Sequence, residues 1–114
     1  MRDDRVYIDH VVDCIRRIEL YCQNGEEDFR GSELLQDAVL RNLQTLAEST
    51  QRISDRLKAI HPEVDWRAIA GFRNVLVHDY LGTNLVRIWE IVSLHLPILA
   101  SQMETIRPEA GLPE

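Results

Sequence analysis

From Val39 onward the residues Val39, Leu43, Leu46, Thr50, Ile53, Leu57 and Ile60 recur in alternating steps of four and three. That spacing lines one face of an α-helix and fits no strand, whose side chains change face at every residue. A seam this long must pack against neighbouring helices or against a second copy of itself. It predicts an all-α bundle built on a long second helix. Ser32 caps the start, and Pro62 ends the helix near His61 by disfavouring helical backbone in the residue before it.

The flanking segments carry the same period. Ile8, Val11, Val12, Ile15, Ile18 and Cys22 mark a first amphipathic helix from about Asp4 to Asn24, capped by Asp3 or Asp4 and stopped by Asn24-Gly25. The run Glu26-Glu27-Asp28 reads as a solvated acidic connector. Asp65 caps a third helix with Trp66, Ile69, Ala70, Arg73 and Val77 on one stripe, and Gly82-Thr83-Asn84 forms a turn and cap before a fourth. Leu85, Ile88, Trp89, Val92 and Leu96 define that fourth helix. Pro97 kinks or restarts it, and Ile98, Leu99, Met103 and Ile106 extend the stripe. The expected architecture is an up-and-down helical bundle over residues 1–106 with a kinked C-terminal helix. Residues 107–114, which hold two prolines and a glycine, are expected to fray.

With 114 residues, 45% of them hydrophobic and nine glycines and prolines together, the chain suits one globular domain. No run of about 18 uncharged apolar residues occurs, which argues against a membrane span, and Met1-Arg2-Asp3-Asp4-Arg5 lacks the apolar block of a signal peptide. A cytoplasmic protein is expected. Cys14 and Cys22 agree with that compartment, because eight residues along one helix separate them by roughly 12 Å, beyond disulfide reach. Neither CxxC nor HExxH spacing is present, so no metal site and no cofactor are expected; His10, His61 and His95 read as surface or core-edge residues.

The net charge of −6 opposes a general nucleic-acid-binding surface. Yet 12 of the 13 basic residues are arginine, the side chain suited to bidentate phosphate recognition. One of them opens the segment Arg73-Asn74-Val75-Leu76-Val77-His78-Asp79-Tyr80, in which a guanidinium, an imidazole and a phenol sit on an apolar spine. RNA carries its own nucleophile in the ribose 2′-hydroxyl, so cleavage needs proton transfer and stabilisation of the charged phosphorane, and no metal. His78 has the chemistry for the first and Arg73 for the second. Asn74, four residues before His78, can orient the imidazole. Tyr80, with an ordinary pKa near 10, suits positioning or modification better than general base catalysis, and Asp79 adds a carboxylate to the motif. The same residues near a helix end can also serve structure alone, satisfying carbonyls and the helix dipole.

Geometry limits how Arg73 and His78 meet. Five residues along a regular helix rotate by roughly 140° from one another. Either the helix loosens near His78, or a second chain supplies the partner across a cleft.

The pattern Arg73-Asn74-x-x-x-His78-x-Tyr80 resembles the R-x4-H-x-Y signature of the HepT-like ribonuclease toxins of the HEPN superfamily. The lead-in from Pro62 through Trp66 to Phe72, the downstream Trp89-Glu90-Ile91-Val92 and Leu96-Pro97, and the upstream Leu46-Ala47-Glu48-Ser49 are similar to the family too, over roughly residues 35 to 99. Ala47 stands where a glycine often precedes the glutamate. The resemblance implies a HEPN-type helical homodimer whose two motif copies line a shared cleft. It also implies metal-independent endoribonuclease activity of a toxin in a type VII-like toxin–antitoxin system. The implied partner is a minimal nucleotidyltransferase antitoxin that transfers AMP from ATP to Tyr80, placing negative charge beside Arg73 and His78. The alternative is a noncatalytic helical adaptor that binds a nucleotidyltransferase, which the net acidity favours; a bundle that merely oligomerises through its heptad face leaves the motif without a purpose.

Overall fold

A computed structural model describes residues 3–78 and 84–110, and these are helical with short connections. Helix α1 (Asp4–Tyr21) starts where the Asp3 side chain accepts from the Arg5 amide, and it buries Ile8, Val11, Val12, Ile15 and Ile18. It packs mainly against α3 (Glu33–Arg52), which opens where Ser32 Oγ accepts from the Leu35 amide. Helix α3 in turn packs on α5 (Trp66–His78), so it lies between two neighbours and buries Val39, Leu43, Leu46, Ala47 and Thr50. The all-α bundle expected from the period is present.

Between α1 and α3 the acidic run is solvated as expected, but it is helical. Residues 26–30 form a short helix, α2 (Glu26–Arg30), entered through Gly25 at φ 95°, and its Phe29 is fully buried against Trp89 with ring centroids 5.5 Å apart. Glu26, Glu27 and Asp28 remain exposed, where their charge favours a helix N-terminus.

The long second helix is divided. Helix α3 ends at Arg52, and α4 (Asp55–Ile60) restarts at Ser54, whose Oγ accepts from the Leu57 amide at 3.2 Å. Asp4 fixes the break from a distance of 50 residues: one carboxylate oxygen takes the Ser54 amide at 2.8 Å and the other takes its hydroxyl at 2.7 Å. The seam stays buried through Ile53 and Leu57, but the break leaves Ile60 exposed.

At the C-terminal end the expected kink is a π-helical turn. Helix α6 (Leu85–Glu90), capped by Asn84 Oδ1 on the Arg87 amide, runs into Ile91–His95 and then α7 (Leu96–Ile106). Ile91 and Leu96 are both buried although five residues apart, a step that would rotate roughly 140° on a regular helix. The wide turn, closed by the Leu96 amide on the Ile91 carbonyl, returns Leu96 to the core face. Pro97 follows in the first turn of α7, where no intrahelical donor is required. Leu99, Met103 and Ile106 continue the buried stripe, whereas Ile98 points outward.

Residues 107–110, expected to fray, are packed instead. Ala110 is buried, and the amides of Glu109 and Ala110 donate to the Ile106 and Arg107 carbonyls. Arg107 Nε lies 2.8 Å from Asp9 Oδ1 on α1, an ion pair without hydrogen-bond alignment.

Two substitutions separate core burial from capping. Phe29→Ala is expected to cost about 3–5 kcal/mol in urea unfolding. Ser54→Ala is expected to cost about 1 kcal/mol or somewhat more, since a cap and a link to Asp4 go together.

Candidate functional site

Helix α5 carries Arg73, Asn74 and His78 of the motif. Its first turn is held by Asp65, whose Oδ1 accepts from the Ala68 amide at 3.0 Å, and by the Trp66 indole, which donates to the His61 carbonyl at 3.0 Å. Lys58 Nζ lies 5.9 Å from the centroid of the Trp66 ring, within cation–π range. Ile69 and Phe72 are buried, and they fix the rotation of the helix about its axis.

With that rotation Arg73 is exposed. The sequence stripe placed Arg73 with Ile69; the structure buries Phe72 and turns the guanidinium-bearing residue to the surface. The α5 backbone runs as uninterrupted α-helix through Asn74 to His78. The Asn74 and His78 side chains, and Asp79 and Tyr80 altogether, lie outside the described residues.

Beside this surface, α5 and α7 enclose a groove lined by buried Ile69, Phe72 and Leu99 and by exposed Asp65, His95 and Ile98. The His95 ring leans on Phe72 with centroids 6.2 Å apart. Its volume of ≈ 200 Å³ is below the range of small-molecule pockets, about 300–1,000 Å³.

Other chemistries find less support among the described residues. Burial raises the thiol pKa of Cys22 to about 11. It also raises that of Cys14, with Arg17 opposing and Asp13 adding to the effect. Both thiols therefore stay protonated near neutrality and are poor nucleophiles. No group of three or more His, Cys, Asp or Glu residues is arranged to hold a metal ion, and no helix is long and apolar enough to cross a membrane, among the described residues.

Comparison with known proteins identifies the family. The family model described as Ribonuclease HepT-like matches residues 11–106. The chain belongs to the ribonuclease HepT-like family. It is 31% identical over 107 residues to "Probable ribonuclease HepT" of Thermococcus cleftensis, covering 93% of this chain and 97% of that protein. It is 32% identical over 107 residues to "Putative RNase TTE0752" of Caldanaerobacter subterraneus, covering 93% of this chain and 96% of that one. A third relative, "Gamma-glutamylcyclotransferase and putative RNase MJ0434" of Methanocaldococcus jannaschii, is 29% identical over 109 residues. That match takes in 95% of this chain, which spans about half the relative's length, 49%. No solved structure matches the chain.

The HepT-like match contains α3, α5 and α7, and with them the helix carrying Arg73. Sequence periodicity missed that Phe72, directly before Arg73, is the residue that seats α5 and meets His95. The three-residue step from Ile69 to Phe72 fits the helical period as well as the four-residue step to Arg73, so period alone does not choose between them.

Exposure makes Arg73 dispensable for folding. Arg73→Ala is expected to leave unfolding free energy within about 0.5 kcal/mol of wild type. Phe72→Ala is expected to lose about 3–5 kcal/mol. Urea titration followed by circular dichroism checks both.

Proposed function

We propose that this chain is the toxin of a type VII-like toxin–antitoxin pair and a metal-independent endoribonuclease of the cytoplasm. The observation that carries the proposal is the ribonuclease HepT-like match over residues 11–106, joined to an R-x4-H-x-Y motif in the sequence whose arginine, on α5, faces solvent. Relatives bearing ribonuclease in their names match nearly end to end.

In the proposed reaction the ribose 2′-hydroxyl attacks the adjacent phosphorus and the 5′-oxygen of the next nucleotide leaves. His78 moves the proton, taking it from the 2′-hydroxyl or giving it to the leaving oxygen, and works best with a pKa near neutrality. Arg73 holds the nonbridging oxygens through two parallel N–H donors as negative charge develops. Asn74 orients the imidazole. The uninterrupted helix through His78 supports a homodimer in which Arg73 of one protomer and His78 of its partner meet across a shared cleft.

Regulation falls to Tyr80 in this reading. A nucleotidyltransferase antitoxin transfers AMP from ATP to the phenol oxygen, with release of pyrophosphate and the phenol proton, and the added phosphate occupies Arg73 and repels RNA. The competing reading, a noncatalytic adaptor for such a transferase, is favoured by the net charge of −6.

Purified chain is expected to cut RNA in EDTA, with Arg73→Ala and His78→Ala each slower by at least about 100-fold while folded. Mixing the two inactive variants tests the shared site: a mixed dimer retains one cleft with both groups, so activity returns. Equal cleavage by wild type and both variants would rule out the catalytic assignment and favour the adaptor. Incubation with the transferase and ATP should add AMP to wild type and leave Tyr80→Phe unchanged in mass.

A further inference from the structure

Away from the α5 surface, one titratable side chain is buried between two others. His61, 8% exposed, ends α4; its Nδ1 lies 2.9 Å from Glu63 Oε2 and its Nε2 lies 2.6 Å from Glu109 Oε2. A neutral imidazole has a single N–H, so one of those contacts would set a lone pair against a carboxylate oxygen. Only the imidazolium donates to both. The two carboxylates also lie on opposite edges of the ring, which rules out one metal ion bridging all three.

This cluster joins segments distant in sequence. Glu63 belongs to the linker that leads into α5, and its carbonyl accepts from Gln102 Nε2 of α7 at 3.1 Å. Glu109 belongs to the C-terminal turn, 48 residues from His61. The His61 carbonyl receives the Trp66 indole, so the clamp sits on the first turn of the motif helix.

We infer that His61 is a proton-operated latch: as imidazolium it clamps the C-terminal turn, residues 107–110, to the linker that starts α5, and on deprotonation it releases that turn. Glu63 and Glu109 are the charged groups that face the ring. On α4, Lys58 is turned over Trp66; α7 contributes the neutral Gln102; Arg107 is engaged with Asp9 on α1. No cation among these replaces the imidazolium once its proton leaves.

The direction of titration agrees. Burial favours the neutral ring, but the hydrogen bonds to Glu63 and Glu109 and their charges outweigh it, leaving the His61 pKa raised. The Glu63 carboxyl is held below its ordinary value by its own backbone amide and by His61. A histidine whose folded pKa is raised contributes its full stabilisation below the unfolded value, about 6.5, and loses it as pH rises through the higher folded value. The turn is therefore docked in mild acid and freed on the alkaline side.

NMR titration of the full chain from about pH 5 to about pH 9 brackets that change. The His61 ring is expected to titrate above its ordinary value. The Glu109 and Ala110 amides and the Trp66 indole N–H should shift with the same midpoint. Glu109→Gln, at a half-exposed position that leaves the core intact, should lower the midpoint, and His61→Gln should abolish the step. Stationary Glu109 and Ala110 amides across the ring titration, or an unchanged midpoint in Glu109→Gln, would overturn the latch. The experiment uses no RNA, so it stands or falls apart from the ribonuclease proposal.

Discussion

The two-sided burial of α3 is the constraint on which the rest of the molecule depends. A helix packed on one face can shift or roll against its partner, but α3 is held by α1 and α5 together. Its buried positions combine large Val39, Leu43 and Leu46 with small Ala47 and Ser49. Large residues supply the transfer free energy, on the order of 1.5–3 kcal/mol for each fully buried Leu or Val. Small ones let neighbouring backbones approach. The orientation of α5, and so the exposure of Arg73, follows from seating Ile69 and Phe72 in the core while α3 is fixed. A change in the α3 core would therefore reach the motif surface without touching it.

The helical period made this framework legible from sequence, because a seam of three- and four-residue steps has one structural solution. Its interruptions were not legible. The division after Arg52 needs Asp4, a carboxylate 50 residues away, to hold Ser54 through two hydrogen bonds. No window along the chain contains that pair. Phe29 escaped notice for a related reason: an acidic run reads as solvated, and only Trp89 from α6 shows why the aromatic directly after it is buried. The docking of residues 107–110 likewise depends on His61 and Asp9, while proline and glycine content nearby pointed to fraying.

The candidate site reads in sequence as chemistry more than as geometry. Arginine, histidine and tyrosine at their spacing named a reaction class, and the HepT-like match supports the family behind it. Whether Arg73 faces core or solvent was decided by Phe72, since a stripe through Ile69 and Arg73 is equally regular in sequence. Near the C-terminus, Pro97 correctly marked an irregularity, but its form depended on the five-residue step from Ile91 to Leu96. Two buried anchors at that spacing require a wide turn, and a proline in the next turn makes it compatible with helix on both sides.

Charge sets the manner in which the proposed enzyme must engage RNA. A chain with net charge −6 gains little from long-range attraction to a polyanion, so encounter is not accelerated by steering. Discrimination then rests on short-range contacts, of which a bidentate arginine–phosphate pair is among the strongest. A pair of this kind loses its value when the guanidinium is already occupied. A phosphate placed covalently near Arg73 does not have to compete by affinity, since its effective concentration at the site is set by the tether. On the proposed reading an acidic toxin is thus easier to silence than a basic one: its net charge repels RNA, so occupying the arginine removes a main attraction the protein offers.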